Sequence, residues 1–140
     1  MTSEELEAFL AVPRDAVLSV RLGSGRAMGT PIWFRWVDGR VRFESPTTSA
    51  KTAALRATGR ASLCVHEQVL PQVRYVTLEG PVTEVDFDRA QIAESAGRYL
   101  GGDEAAAFVA SIDTALESGR RWASFELDPA TVSSTSRSLL

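Results

Sequence analysis

Apolar and polar residues alternate with a period of two over most of this chain, and the first clear run spans residues 16 to 22. There Ala16, Leu18, Val20 and Leu22 fall on one face and Val17, Ser19 and Arg21 on the other, the pattern of a half-buried strand. Gly23-Ser24-Gly25 predicts a turn into a long second strand, Arg26 to Val37. In it Met28, Thr30, Ile32, Phe34 and Trp36 share one face while Pro31, Trp33 and Arg35 share the other. Pro31 has no N–H to give a ladder, so an edge or a bulge is expected there. Backbone that leaves its sheet partner can face a ligand instead.

Asp38-Gly39 is a strong hairpin signal and leads into a strand from Arg40 to Glu44, whose Val41 and Phe43 continue the apolar face. Arg60 to His66 and Val73 to Val85 alternate in the same way, joined by a loop from Glu67 to Gln72, and the second is expected to bend at Gly80-Pro81. Trp122 to Leu127 makes a sixth strand, stopped by Asp128-Pro129.

Helical spacing replaces alternation in four places. Ser3 is placed to cap a helix from Glu4 to Ala11, so that residues 1–12 form an N-terminal helix ended by Pro13. Residues 48–58 form a short helix that Gly59 ends. Asp86 or Asp88 caps a third helix, with Ile92, Ala96 and Tyr99 on one face, and Asp103 a fourth, with a stripe of Phe108, Ile112 and Leu116. Residues 130–140 read as a weakly structured tail. Six strands, mostly joined by hairpins, with two helices inserted before the last, predict a mainly β fold: one domain over residues 1–140, a six-stranded antiparallel barrel with helices packed outside.

Charge and composition narrow the partners. The net charge is −3 and the arginines are scattered singly apart from Arg120-Arg121, so no basic stripe marks a nucleic-acid surface. No apolar run approaches the ~20 residues of a membrane span, and the acidic start, Glu4-Glu5, is unlike a secretory signal; a cytoplasmic address is expected. The single cysteine, Cys64, forms no intramolecular disulfide and reads as an inert packing thiol. His66 is the one histidine and has no second ligand at metal spacing, so no metal site is expected.

The most suggestive chemistry lies in Ser45-Pro46-Thr47-Thr48-Ser49-Ala50-Lys51. Taken alone it is a polar helix start, but a hydroxyl-rich helix N-terminus beside a sheet also offers N–H groups to a phosphate. Lys51 is the sole lysine beside 14 arginines, which hints that a compact point charge is wanted there. Trp33 and Trp36 can flank a ring or simply pack. No two acids fall on one wall of a cleft, so no catalytic pair is assigned and the catalytic residues are left unnamed.

The runs Met28-Gly29-Thr30-Pro31-Ile32-Trp33-Phe34, Val41-Arg42-Phe43-Glu44-Ser45 and Ser49-Ala50-Lys51 with Leu55 and Arg56, continued by Arg60-Ala61-Ser62-Leu63-Cys64 and Tyr75-Val76-Thr77-Leu78-Glu79-Gly80, are together similar to the pyridoxamine-phosphate-oxidase-like split β-barrel family. Within it the chain most resembles the branch that binds F-420 or FMN. The resemblance implies a homodimer with a cofactor site at the subunit interface. The backbone around Pro31, Ile32, Trp33 and Phe34 would face the ring, Ser45, Thr47, Ser49, Ala50 and Lys51 would hold the phosphate, and Arg56 would add a second cation. It implies a deazaflavin-dependent oxidoreductase that moves a hydride between reduced F-420 and an organic acceptor, with an FMN protein, or a carrier of flavin, deazaflavin or haem, as the alternatives. Ser49 stands where relatives often carry Arg, Ala54 where they carry Asn, and no Arg and His motif follows Pro129, so pyridoxamine phosphate oxidation itself is not expected.

Overall fold

The structure is a computed structural model describing residues 1–140. Its elements in order are α1 (Ser3–Ala11), β1 (Asp15–Arg21), β2 (Ala27–Pro31), β3 (Arg35–Val37), β4 (Arg40–Pro46), α2 (Ala50–Thr58), β5 (Arg60–Val69), β6 (Gln72–Val85), α3 (Arg89–Tyr99), α4 (Gly102–Glu117), β7 (Trp122–Leu127) and β8 (Thr131–Ser138). All strand pairs are antiparallel, in the order β2-β1-β5-β6-β7-β4-β3, with β8 also on β6. The fold is the expected mainly β split barrel with flanking helices, but with eight strands rather than six.

Both extra strands have physical causes. The long strand expected from Arg26 to Val37 breaks after Pro31, where the ladder loses a donor, and resumes as β3 at the opposite end of the sheet. The expected weak tail is instead β8. Its Ser133-Ser134-Thr135-Ser136 core shows no apolar alternation, and it is held by backbone pairing of residues 131–138 with residues 72–79 of β6. The expected loop from Glu67 to Gln72 is shorter, since β5 and β6 pair up to Val69 and Gln72.

β6 holds the two halves of the sheet together. Up to Pro81 it pairs with β5, whereas Val82 to Val85 pair with β7. The bulge expected at Gly80-Pro81 is not formed, since the register with β5 runs unbroken through both residues, but β6 changes partner just after them and the chain leaving β7 crosses there: Asp128 N donates to Pro81 O (3.0 Å) and Ala130 N to Glu79 O (2.8 Å). Asp38 and Gly39 both take left-handed φ values, 51° and 75°, which suits a two-residue hairpin turn between β3 and β4.

The alternating faces meet inside. Leu18 on β1, Leu63 on β5, Leu78 on β6, Phe43 on β4 and Phe125 and Leu127 on β7 are all buried, and Phe43 stacks on Phe125 at 5.6 Å. Phe9 and Leu10 plug the core from α1, whose capping residue is Thr2 rather than Ser3. The Thr2 hydroxyl accepts from Glu5 N and the Glu5 carboxylate accepts from Thr2 N, a reciprocal box that Ser3 cannot build one residue later. Similarly, Gly101 and not Asp103 caps α4, leaving Asp103 in the first turn where the helix dipole favours an acid. Trp36 packs on the core and donates from Nε1 to Glu7 (2.7 Å), tying β3 to α1.

One polar cluster enters this interior. Arg35 on β3 is 1% exposed and clamps both carboxylate oxygens of Glu44 on β4, each at 2.7 Å. The same guanidinium donates to Gln91 O and Ser95 Oγ, so it also fastens α3 to the barrel. Charges are tolerated at this depth only when paired and hydrogen-bonded on most sides.

Candidate functional site

The break between β2 and β3 is where the chain opens. Ile32 N still donates to Ala16 O (3.0 Å). Phe34 N points instead at the Tyr99 hydroxyl (3.4 Å), which itself donates to Arg14 O (3.0 Å). Tyr99 ends α3, and burial pushes its phenol above the usual range. The Trp33 ring lies nearly parallel to Tyr99, with centroids 5.2 Å apart and planes 8° apart, and meets Phe108 of α4 at 5.0 Å. Two aromatics, one from α3 and one from α4, thus pack on one residue of the break.

Two clefts share this wall. The larger, about 550 Å³, has Ala16, Val17, Pro31, Ile32, Trp33 and Phe108 as its apolar lining and Arg14, Asp15, His66 and Tyr99 as its polar one. The smaller, about 180 Å³, adds Lys51, Glu44, Ile92, Ser95, Ile112 and Trp122 to Pro31, Ile32, Trp33 and Phe108. Lys51 is 8% exposed, enters from the first turn of α2, and takes part in no ion pair and no side-chain hydrogen bond. Burial alone draws its ammonium below the usual lysine range. An unpaired, partly desolvated cation facing a cleft is electrostatically prepared for an anion.

A family model for pyridoxamine 5'-phosphate oxidase matches residues 2–133. The chain belongs to that family. No curated protein matches it by sequence. Solved structures share the fold of this family member: a conserved hypothetical protein from Mycobacterium tuberculosis (21% identity, TM-score 0.75, covering 96% of this chain and 84% of that one). An F-420 reductase follows at 18% identity and TM-score 0.69, covering 91% and 94%. An FAD-binding protein from Mesorhizobium loti has 17% identity and TM-score 0.69, covering 99% and 96%.

In this family member the residues singled out from sequence divide into two groups. Pro31, Ile32, Trp33 and Lys51 come together around the smaller cleft. Ser49 caps α2 through its hydroxyl, which accepts from Lys51 N (3.2 Å), and Ala50 is the exposed first residue of that helix. Thr47 sits at the approach to α2, its N–H and hydroxyl both donating to Arg121 O.

The other three lie elsewhere. Phe34 is fully buried in the core, so only its backbone borders the break. Ser45 is also fully buried, its hydroxyl accepting from Thr52 Oγ1 (2.7 Å), and faces inward because it shares the inner side of β4 with Val41 and Phe43. Arg56 is on the outer side of α2 in a bidentate pair with Glu84 of β6, at 2.7 and 3.0 Å, and lines neither cleft.

Sequence reading missed Tyr99, Phe108, Ile112 and Glu44. The first three were visible as members of helical apolar stripes, which were read as packing. Nothing local separates a stripe that fills a core from one that walls a cleft.

Proposed function

We propose that this chain binds a phosphate-bearing flavin or deazaflavin and acts as an oxidoreductase, with F-420 as the cofactor and FMN as the alternative. The observation that carries the reading is Lys51: the one lysine, sunk beside residues 31–33 with its ammonium unpaired. The residues fit such a group. Lys51, with the Ser49-capped start of α2, suits the anionic end. The adjoining apolar wall of Pro31, Ile32 and Trp33 suits a planar ring, and the larger cleft falls within the ~300–1,000 Å³ of ordinary ligand sites. One of the solved structures with this fold is an F-420 reductase and another binds FAD, which supports the same reading.

A bound flavin or deazaflavin would supply the hydride chemistry. The chain's own part is to hold the phosphate by charge, fix the ring against Ile32 and Trp33, and keep water from its face. The larger cleft is left for the acceptor. A homodimer belongs to the proposal as well: Pro31 and β2 lie at a free sheet edge, where a second copy would close the open side of both clefts.

Titration of the protein with FMN and with F-420, side by side, tests this. Lys51→Ala should weaken both by about 10- to 150-fold, the equivalent of losing one charge-assisted contact of ~1.5–3 kcal/mol, with an unchanged circular dichroism spectrum. Equal affinities for variant and parent would remove Lys51 from the site.

A further inference from the structure

Lys51 should not be free. Glu44 lines the same small cleft, and a lysine and a glutamate in one partly desolvated space ordinarily pair. Here they form no ion pair, and Glu44 is engaged elsewhere: Arg35 Nη1 donates to Oε1 and Nη2 to Oε2, both at 2.7 Å, and Ser124 Oγ donates to Oε2 at 3.3 Å. Arg35 is itself immobilised by Ser95 Oγ and Gln91 O on α3. Its planar fork matches a carboxylate as a lysine's point charge does not, so the competition for Glu44 is settled in favour of Arg35.

We infer that Arg35 is a positioning residue for anion binding: by occupying both oxygens of Glu44 it keeps the Lys51 cleft cationic and open to a phosphate. This rests on the reading of Lys51 as the anion-holding residue. It goes beyond that reading in assigning a selective role to a buried ion pair that would otherwise serve only to fasten α3. The pair and Lys51 come from β3, β4 and α2, so the arrangement exists only in the folded chain.

The role is separable from packing by comparing FMN with riboflavin, which has the same ring but no phosphate. Arg35→Met strips Glu44 of its partner, and FMN affinity should fall about tenfold or more while riboflavin affinity stays near that of the parent. Adding Glu44→Gln to Arg35→Met removes the competing charge, and FMN binding should recover most of the loss. A double variant that binds FMN as poorly as Arg35→Met, or a loss shared equally by riboflavin, would overturn the inference and leave Arg35 a structural residue.

If Arg35→Met does not fold, Glu44→Gln alone decides. It should bind FMN at least as tightly as the parent, and weaker binding would overturn the inference. Lys51→Ala tells the two failures apart. If that variant binds FMN normally, the underlying reading of Lys51 is wrong. If it binds poorly but the Arg35 and Glu44 variants do not behave as stated, only the role of Arg35 falls.

Discussion

Gly80 has no room for a side chain. A Cβ built there would lie 2.1 Å from Asp128 O and 2.8 Å from Ala130 N, backbone atoms of the segment linking β7 to β8 that cannot swing aside. Gly80→Ala should therefore destabilise the protein by at least the ~1–3 kcal/mol typical of overpacking, read as a lowered urea midpoint. An unchanged midpoint would mean that the crossing segment is not seated on β6. The Gly80-Pro81 dipeptide was legible as a special position in β6, but the crossing segment that demands a glycine there was not, since Asp128 is 48 positions away. Lys51 and Arg56 make the same point. Two cations one turn and a half apart look equivalent in sequence, yet one faces a cleft unpaired and the other is spent on Glu84.

At the scale of elements, the 32–34 break is fixed by α3 through one hydroxyl. Tyr99 joins Phe34 N and Arg14 O, and its ring carries the stack on Trp33. Tyr99→Phe keeps the ring and deletes the hydroxyl, so stability should fall by roughly 0.5–1.5 kcal/mol, and amide exchange at Phe34 should quicken by the corresponding factor of about 2 to 13. Exchange that stays slow would show that the backbone of the break is held by other contacts. The helices were legible to within a residue or two of their ends because caps and glycines are local signals. Their placement over Trp33 was not, because it depends on how the α3–α4 hairpin docks on strands more than 50 positions earlier. β8 was illegible for a different reason. Its serines and threonines bury little, and its place is set by the open edge that β6 offers.

Across the whole molecule, the surface is pinned by arginine–carboxylate pairs between different elements. Hydrogen bonds from Arg74, Arg56, Arg89 and Arg42 hold Glu67, Glu84, Asp113 and Glu126, respectively, below the usual carboxylate range. A depressed folded-state pKa adds stability that is complete above the unfolded value of ~4 and is lost as pH falls through the folded one. Stability should thus be flat near neutrality and decline progressively below about pH 4, and the decline should shrink in high salt because these pairs are exposed. Thermal melts from pH 7 to pH 3 at two ionic strengths check this, and a melting temperature insensitive to acid would count against these pairs. Lys51 acts in the same direction over a different window: burial lowers its pKa, so folding gains stability as pH rises toward the unfolded lysine value of ~10.4. An anion bound beside it would reduce that gain.

The sequence by itself determined the alternation that builds the sheet, the turns that divide it, the irregularity at Pro31 and the singular Lys51, because each depends on neighbours within about a turn or a hairpin. Only the tertiary structure decided which of the polar residues face a cleft and which are consumed by the fold. Ser45 turned to Thr52, Arg56 to Glu84, and Arg35 to Glu44, while Lys51 was left without a partner. The free energy of a charge is set by what surrounds it in space, and for this chain those surroundings are assembled from strands and helices that sequence order keeps apart.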